Sequence, residues 1–147
     1  MTCSQRKRLD RELLSALERY DGIFFRILRK AQREGYWPDN LDVLITSAKY
    51  GLLELNAAIE TYDLRMTVAQ AKQLKPVIAP LLTQRVTAHP YAEIFVNVSK
   101  VYLGAIEGWD MDLPCQTTVI YATGGIGQRA RQMRYWLLEK TTSARGS

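Results

Sequence analysis

One histidine and two cysteines among 147 residues leave little for metal or nucleophile chemistry. His89 has no second histidine to join it, and Cys3 and Cys115 lie far apart with no CxxC spacing, so no zinc-ligand set is present. His89 precedes Pro90 in a predicted loop with no nucleophile elbow beside it, which removes a Ser-His-Asp reading. Two distant cysteines are expected to be free thiols of a reducing cytoplasm. No apolar run approaches the roughly 20 residues of a membrane span. The basic start, residues 1–8, has no apolar stretch behind it, so no secretory signal is read. GxGxxG and GxxxxGK[ST] are both missing, which excludes a dinucleotide fingerprint and a P-loop. Paired carboxylates suited to acid–base work, internal repeats and low-complexity segments are missing too. No cofactor, no metal and no membrane partner is expected.

The composition that remains is that of a globular domain, 47% hydrophobic and 24% charged, long enough to bury a core. A net charge of +5 favours an anionic partner. Residues 41–46 alternate and are rich in β-branched types, which predicts a mostly buried strand. Residues 93–98 and 117–122 predict two more. Leu9, Leu13, Leu14 and Leu17 predict a first helix. A second is predicted to run to about Glu34, with Asp21 as N-cap and Gly35 as its stop. Its Arg26, Arg29, Lys30 and Arg33 share one face, either solvated or facing nucleic acid. Thr67 with Gln70 is a capping-box pattern. Pro76 and Pro80 predict a kink or two short helices up to Gln84. Further helices are expected after Ser99 and from about Gln128 to Lys140. The fold expectation is α/β: a single domain over residues 1–140 with a mostly parallel sheet flanked by helices, and a flexible tail over residues 141–147.

Four polar clusters fall at predicted carboxyl ends of strands, where open α/β sheets bind ligands. They are Cys3 and Ser4 with Lys7; Ser47, Lys49, Tyr50 and Gly51; Ser99 with Tyr102; and Gly124, Gly125, Gly127 and Arg129. Tyr62, Asp63 and Arg65 supply a further dense set. The glycine turn before the last helix is either a seat for phosphate, using unpaired N–H groups, or a tight packing turn. Lys49 either holds phosphate or acts as acid or base, or else pairs with Asp63 or Glu54. Tyr50 and Tyr62 either stack on a base or pack as core. Asp63 and Arg65 are candidates for an ion pair. Lys49, Tyr62 and Arg129 are expected in one pocket.

Ser47-Ala-Lys-Tyr-Gly-Leu-Leu53 followed by Ile59-Glu-Thr-Tyr-Asp-Leu-Arg-Met66 resembles a signature of small bacterial and phage proteins of unknown function. Cys3-Ser4-x-x-Lys7, Tyr20-Asp21-Gly22 and Gly124-Gly-Ile-Gly-Gln-Arg129 agree with it, so the likeness spans roughly residues 2–140. A more distant similarity is to the YaaA peroxide-stress proteins, with two departures. Asp63 and Arg65 reverse the charges of their Y-R-L-E-M motif, and this chain is shorter and without their insertions. The YaaA resemblance implies DNA binding and protection under oxidative stress. Those relatives have proline where Cys3 stands, so Cys3 is expected to be dispensable. In the resembling proteins the Cys-Ser-x-x-Lys element follows a buried strand. Met1 is therefore expected not to be the natural start, the N-terminal strand being truncated by about six to eight residues.

The leading expectation is a cytoplasmic YaaA-like domain that binds a nucleotide or nucleic acid at a strand-end crevice. Its alternatives are an enzyme acting on nucleobases or nucleosides through Lys49, and a non-catalytic interaction module.

Overall fold

The computed structural model describes residues 1–145. In chain order the elements are β1 (Leu14–Ser15), α1 (Ala16–Arg19), α2 (Ile23–Glu34), β2 (Leu44–Ser47), β3 (Gly51–Glu54), β4 (Ala58–Ile59), α3 (Val68–Ala88), β5 (Glu93–Val96), α4 (Lys100–Ile106), β6 (Thr118–Tyr121) and α5 (Ile126–Arg145). The class is mixed α/β, but the expected mostly parallel sheet is not what forms. The strands make three two-stranded sheets, of which β1–β4 and β2–β3 are antiparallel and only β5–β6 is parallel. The cause lies at Gly51, whose φ of 74° lets residues 48–50 turn the chain straight back after β2. Leu52 and Leu53 then pair with Thr46 and Ile45 in place of a crossover helix.

Two compact units make up the chain, each assembled from separate segments. The first contains Met1–Cys3, Leu44–Glu54 and Tyr62–Tyr121. Within it, Met1–Cys3 stitches the β2–β3 hairpin to the segment that follows β5. Thr2 bridges Thr46 in parallel register. The Thr46 N–H donates to Met1 O at 2.8 Å and the Cys3 N–H to Thr46 O at 3.0 Å. The Thr2 N–H points the other way, to Asn97 O at 3.1 Å. Alternating direction of this kind is strand behaviour. The Met1 amino group donates to Leu44 O at 2.6 Å inside the same ladder.

Helix α3 closes this unit's core, which includes Met66, Ile78, Val86, Val96, Ile106 and Trp109. The kink expected at Pro76 and Pro80 gives way to one helix of 21 residues. Both prolines are exposed, so water can serve the carbonyls they leave without an intrahelical donor. Thr67 caps the helix as expected, accepting the Gln70 N–H at 3.1 Å. The Gln70 side chain completes no capping box; its Nε2 donates to Ala48 O at 3.1 Å and ties the helix to the hairpin turn.

The second unit contains Ser4–Val43, Leu55–Thr61 and the chain from Ala122 onward. Helices α2 and α5 pack together and bury Phe25, Leu28, Met133 and Leu137. Gly35 ends α2 in the left-handed conformation, φ 77°, as the sequence implies. The helix predicted from Leu9 is absent, and Leu9 and Leu13 are exposed. Arg19 explains this. It is 0% exposed, and its guanidinium donates to the carbonyls of Arg8, Asp10 and Glu12. Carbonyls two residues apart converge on one group only in extended chain, so residues 8–12 satisfy Arg19 instead of forming helical hydrogen bonds. Asp21, read as an N-cap, leaves that position to Gly22 and collects Arg6, Arg26 and Arg29. At the other end, α5 runs through Arg145 and so includes residues 141–145 of the expected tail. Thr141 is buried and donates to Tyr36 O at 2.8 Å.

Candidate functional site

Ser47, Lys49, Tyr50 and Tyr62 of the first unit meet at the turn of the β2–β3 hairpin. Ser47 ends β2 and is 0% exposed. Its Oγ accepts the N–H of Lys49 at 3.2 Å and of Tyr50 at 3.1 Å, which fixes the hairpin turn from inside. The same oxygen lies 2.9 Å from the Tyr62 hydroxyl. Tyr50 and Tyr62 meet edge to face, with ring centroids 5.5 Å apart and planes at 81°. The Lys49 ammonium sits 5.2 Å from the Tyr50 centroid and 5.6 Å from that of Tyr62. An ammonium over two ring faces is held by their quadrupoles. Of the alternative partners for Lys49, Glu54 is bonded to Arg85. Asp63 and Arg65 are both exposed.

Two further predicted clusters belong to this unit. The Cys3 Sγ is 3.1 Å from the Tyr102 hydroxyl, and the Cys3 N–H donates to the carbonyl just before Ser47. The Ser99 N–H donates to Thr2 Oγ1 at 2.8 Å. Cys3 and Cys115 are both free thiols. Thr2 and Asn97 were not among the predicted residues. Asn97 is 1% exposed at the end of an apolar strand, and a lone amide inside EIFVNV was the available signal.

The remaining predicted residues belong to the second unit. Ser4 packs against Gly22, where a Cβ would collide with its Oγ. Lys7 lies over the Tyr20 ring and donates to Gln5 O. Gly124, Gly125 and Gly127 do precede and open α5, but the chain caps itself there. Gln128 Oε1 accepts the Gly125 N–H at 3.0 Å, and Gln132 bonds both the N–H and the carbonyl of Thr123. Gly124, with φ 88°, carries no Cβ where the Gln128 side chain crosses it. Arg129 stacks on Phe24 at 5.3 Å. A shallow depression of about 300 Å³ is lined by Thr123, Gly124, Gln128, Arg131 and Gln132. Its polar lining is largely engaged in these internal bonds, whereas Lys49 stands exposed on its hairpin. We therefore place the candidate site at Lys49 and not in the depression.

The groups with displaced pKa values include the Met1 amine and Asp21. Burial of the Met1 amino group lowers it from 8.0 to about 5, against a smaller upward pull from Cys3. Asp21 is held below the usual carboxylate range, first by its hydrogen bond from Arg26 and then by the charges of Arg26, Arg29 and Arg6. Among the described residues no group of three or more His, Cys, Asp or Glu could hold a metal ion, and no helix is long and apolar enough to cross a membrane. Comparison with known proteins finds no matching family model, no similar curated protein and no similar solved structure.

Proposed function

We propose that the turn of the β2–β3 hairpin, with Tyr62, binds a nucleotide. The observation that carries this reading is the Lys49 ammonium poised over the rings of both Tyr50 and Tyr62. A nucleotide presents an anion and a planar base on one small molecule. An exposed lysine meets the first, and tyrosine faces meet the second. A single nucleotide is favoured over a polynucleotide by the state of the basic helix face. Arg26 and Arg29 are engaged by Asp21, and Lys30 is 3.9 Å from Glu34. A track of phosphates would find those cations already partnered.

A thermal-shift screen over nucleosides, nucleotides and short oligonucleotides tests this. A nucleotide at a hundredfold excess over its Kd adds about 2.7 kcal/mol of stability. For a chain of this size that is a rise of about 6–10 °C in Tm. Salt is expected to weaken a mononucleotide only modestly, by screening, without the steep counterion-release slope of a polynucleotide. Oligonucleotides that shift Tm more than any mononucleotide, with a slope several times steeper, would replace this reading with nucleic-acid binding.

A further inference from the structure

Helix α3 is apolar on two opposite sides, and only one of them is in the core. Ala71, Ile78 and Val86 pack inward. With about 3.6 residues per turn, the opposite side carries Gln73, Pro76, Val77, Pro80, Leu81 and Gln84, and all six are exposed. Val77 is 56% exposed and Leu81 46%. A surface helix ordinarily turns charged side chains outward, yet this stripe holds none over about three turns. The cations of α3 stand off the stripe, with Lys75 3.4 Å from Glu107 and Arg85 bonded to Glu54. The stripe also reads alike in both directions. About a point between Ile78 and Ala79, Gln73 answers Gln84, Pro76 answers Leu81 and Val77 answers Pro80. Exposed Ala69 and Ala88 extend the symmetry by a turn at each end.

We propose that this stripe seats a second copy of the chain, the two α3 helices packing antiparallel about a two-fold axis level with the Ile78–Ala79 peptide. A two-fold interface must be self-complementary, residue i meeting j as j meets i, and the stripe has that property. In this register Val77 lies level with Pro80 of the second copy, Pro76 with Leu81, and Gln73 with Gln84. Gln84 of the second copy also comes level with the Lys72 carbonyl, which Pro76 leaves without a helical donor, and its amide can serve that oxygen. Charge selects the occupant. The chain carries +5, so copies repel except where they meet through uncharged surface. An acidic partner would find no cation on the stripe to pair with. Lys72, the exposed cation of α3, stands about 20 Å along the axis from its counterpart, roughly two Debye lengths. Each copy offers a strip of about 30 Å by 10 Å, at the low end for specific interfaces, so the dimer is weak and concentration-dependent.

Sedimentation velocity of the whole chain from about 5 μM to about 1 mM tests this, on wild type, Val77→Glu, Val77→Lys and Met111→Glu. Wild type is expected to pass from monomer to dimer within that range. The two Val77 side chains lie about 5 Å apart along the axis in the proposed register. Val77→Glu and Val77→Lys therefore each set like charges together, and each is expected to weaken the dimer about a hundredfold or more. An equimolar mixture of the two sets Glu against Lys and is expected to associate at least about tenfold more tightly than either alone. Met111→Glu changes an apolar side chain that is 82% exposed and off the helix, and it is expected to leave association unchanged. Melting curves accompany every variant, and Leu81→Glu with Leu81→Lys takes the place of the Val77 pair if either of those melts early. A chain that stays monomeric throughout would overturn the proposal. So would a dimer indifferent to Val77→Glu, or a Glu and Lys mixture that associates no more tightly than its components.

Discussion

Arg19 shows how one side chain redirects its neighbourhood. A fully buried guanidinium must be hydrogen-bonded, and here the acceptors are backbone carbonyls of Arg8, Asp10, Glu12 and Ile59. That requirement overrides the leucine spacing from Leu9 to Leu17, which reads as an amphipathic helix. The spacing was a real signal, but nothing local reveals that an arginine further along will claim the carbonyls. Arg19→Met keeps the length and removes every donor, stranding several carbonyls. It is expected to cost about 3 kcal/mol or more, measured by urea denaturation, with the loss concentrated in the second unit by amide exchange. A cost below about 1 kcal/mol would mean that water replaces the guanidinium. By contrast, the meeting of Ser47, Lys49, Tyr50 and Tyr62 has a local signal, a run of polar and aromatic side chains closing a strand.

Among the elements, α2, β5 and β6 form where periodicity and glycine punctuation place them, because their own residues supply both face and cap. The β2–β3 hairpin was not legible. Its turn residues Ala48, Lys49 and Tyr50 are not usual turn formers, and Gly51 alone carries the left-handed backbone. Likewise Pro76 and Pro80 read as breaks, and their exposure on α3 is a tertiary fact. The segment Met1–Cys3 has a titration of its own. The Met1 amine is about 5 in the folded chain against 8.0 when solvated, so between those values the unfolded chain binds the extra proton. Stability therefore rises with pH from about 5 to 8 and falls as pH drops through that window. Three pH units at about 1.4 kcal/mol each set an upper limit of about 4 kcal/mol. N-terminal acetylation keeps an N–H for Leu44 O and removes the titration, so it should flatten this limb in urea denaturation at pH 5, 6, 7 and 8. Equal slopes with and without acetylation would show that the amine is solvated.

At the scale of the whole molecule, the class was legible and the connectivity was not. Mixed α/β character follows from alternating patterns, whereas a parallel sheet needed crossovers that the hairpin pre-empts. Interleaving of the two units has no local signature, since the chain passes between them at Cys3, Val43, Glu54, Thr61 and Tyr121 without a linker composition. The predicted residues accordingly divide: Cys3, Ser47, Lys49, Tyr50, Tyr62, Ser99 and Tyr102 in one unit, Ser4, Lys7 and the glycine turn in the other. The central claim is that ligand chemistry belongs to the hairpin of the first unit. Backbone amide shifts recorded while the chain is titrated with the best-binding nucleoside monophosphate test it most directly. The largest perturbations are expected at Lys49, Tyr50, Gly51 and Tyr62, with Gly125 and Ile126 unmoved. Perturbations centred on residues 123–128, with the hairpin turn unchanged, would contradict the account.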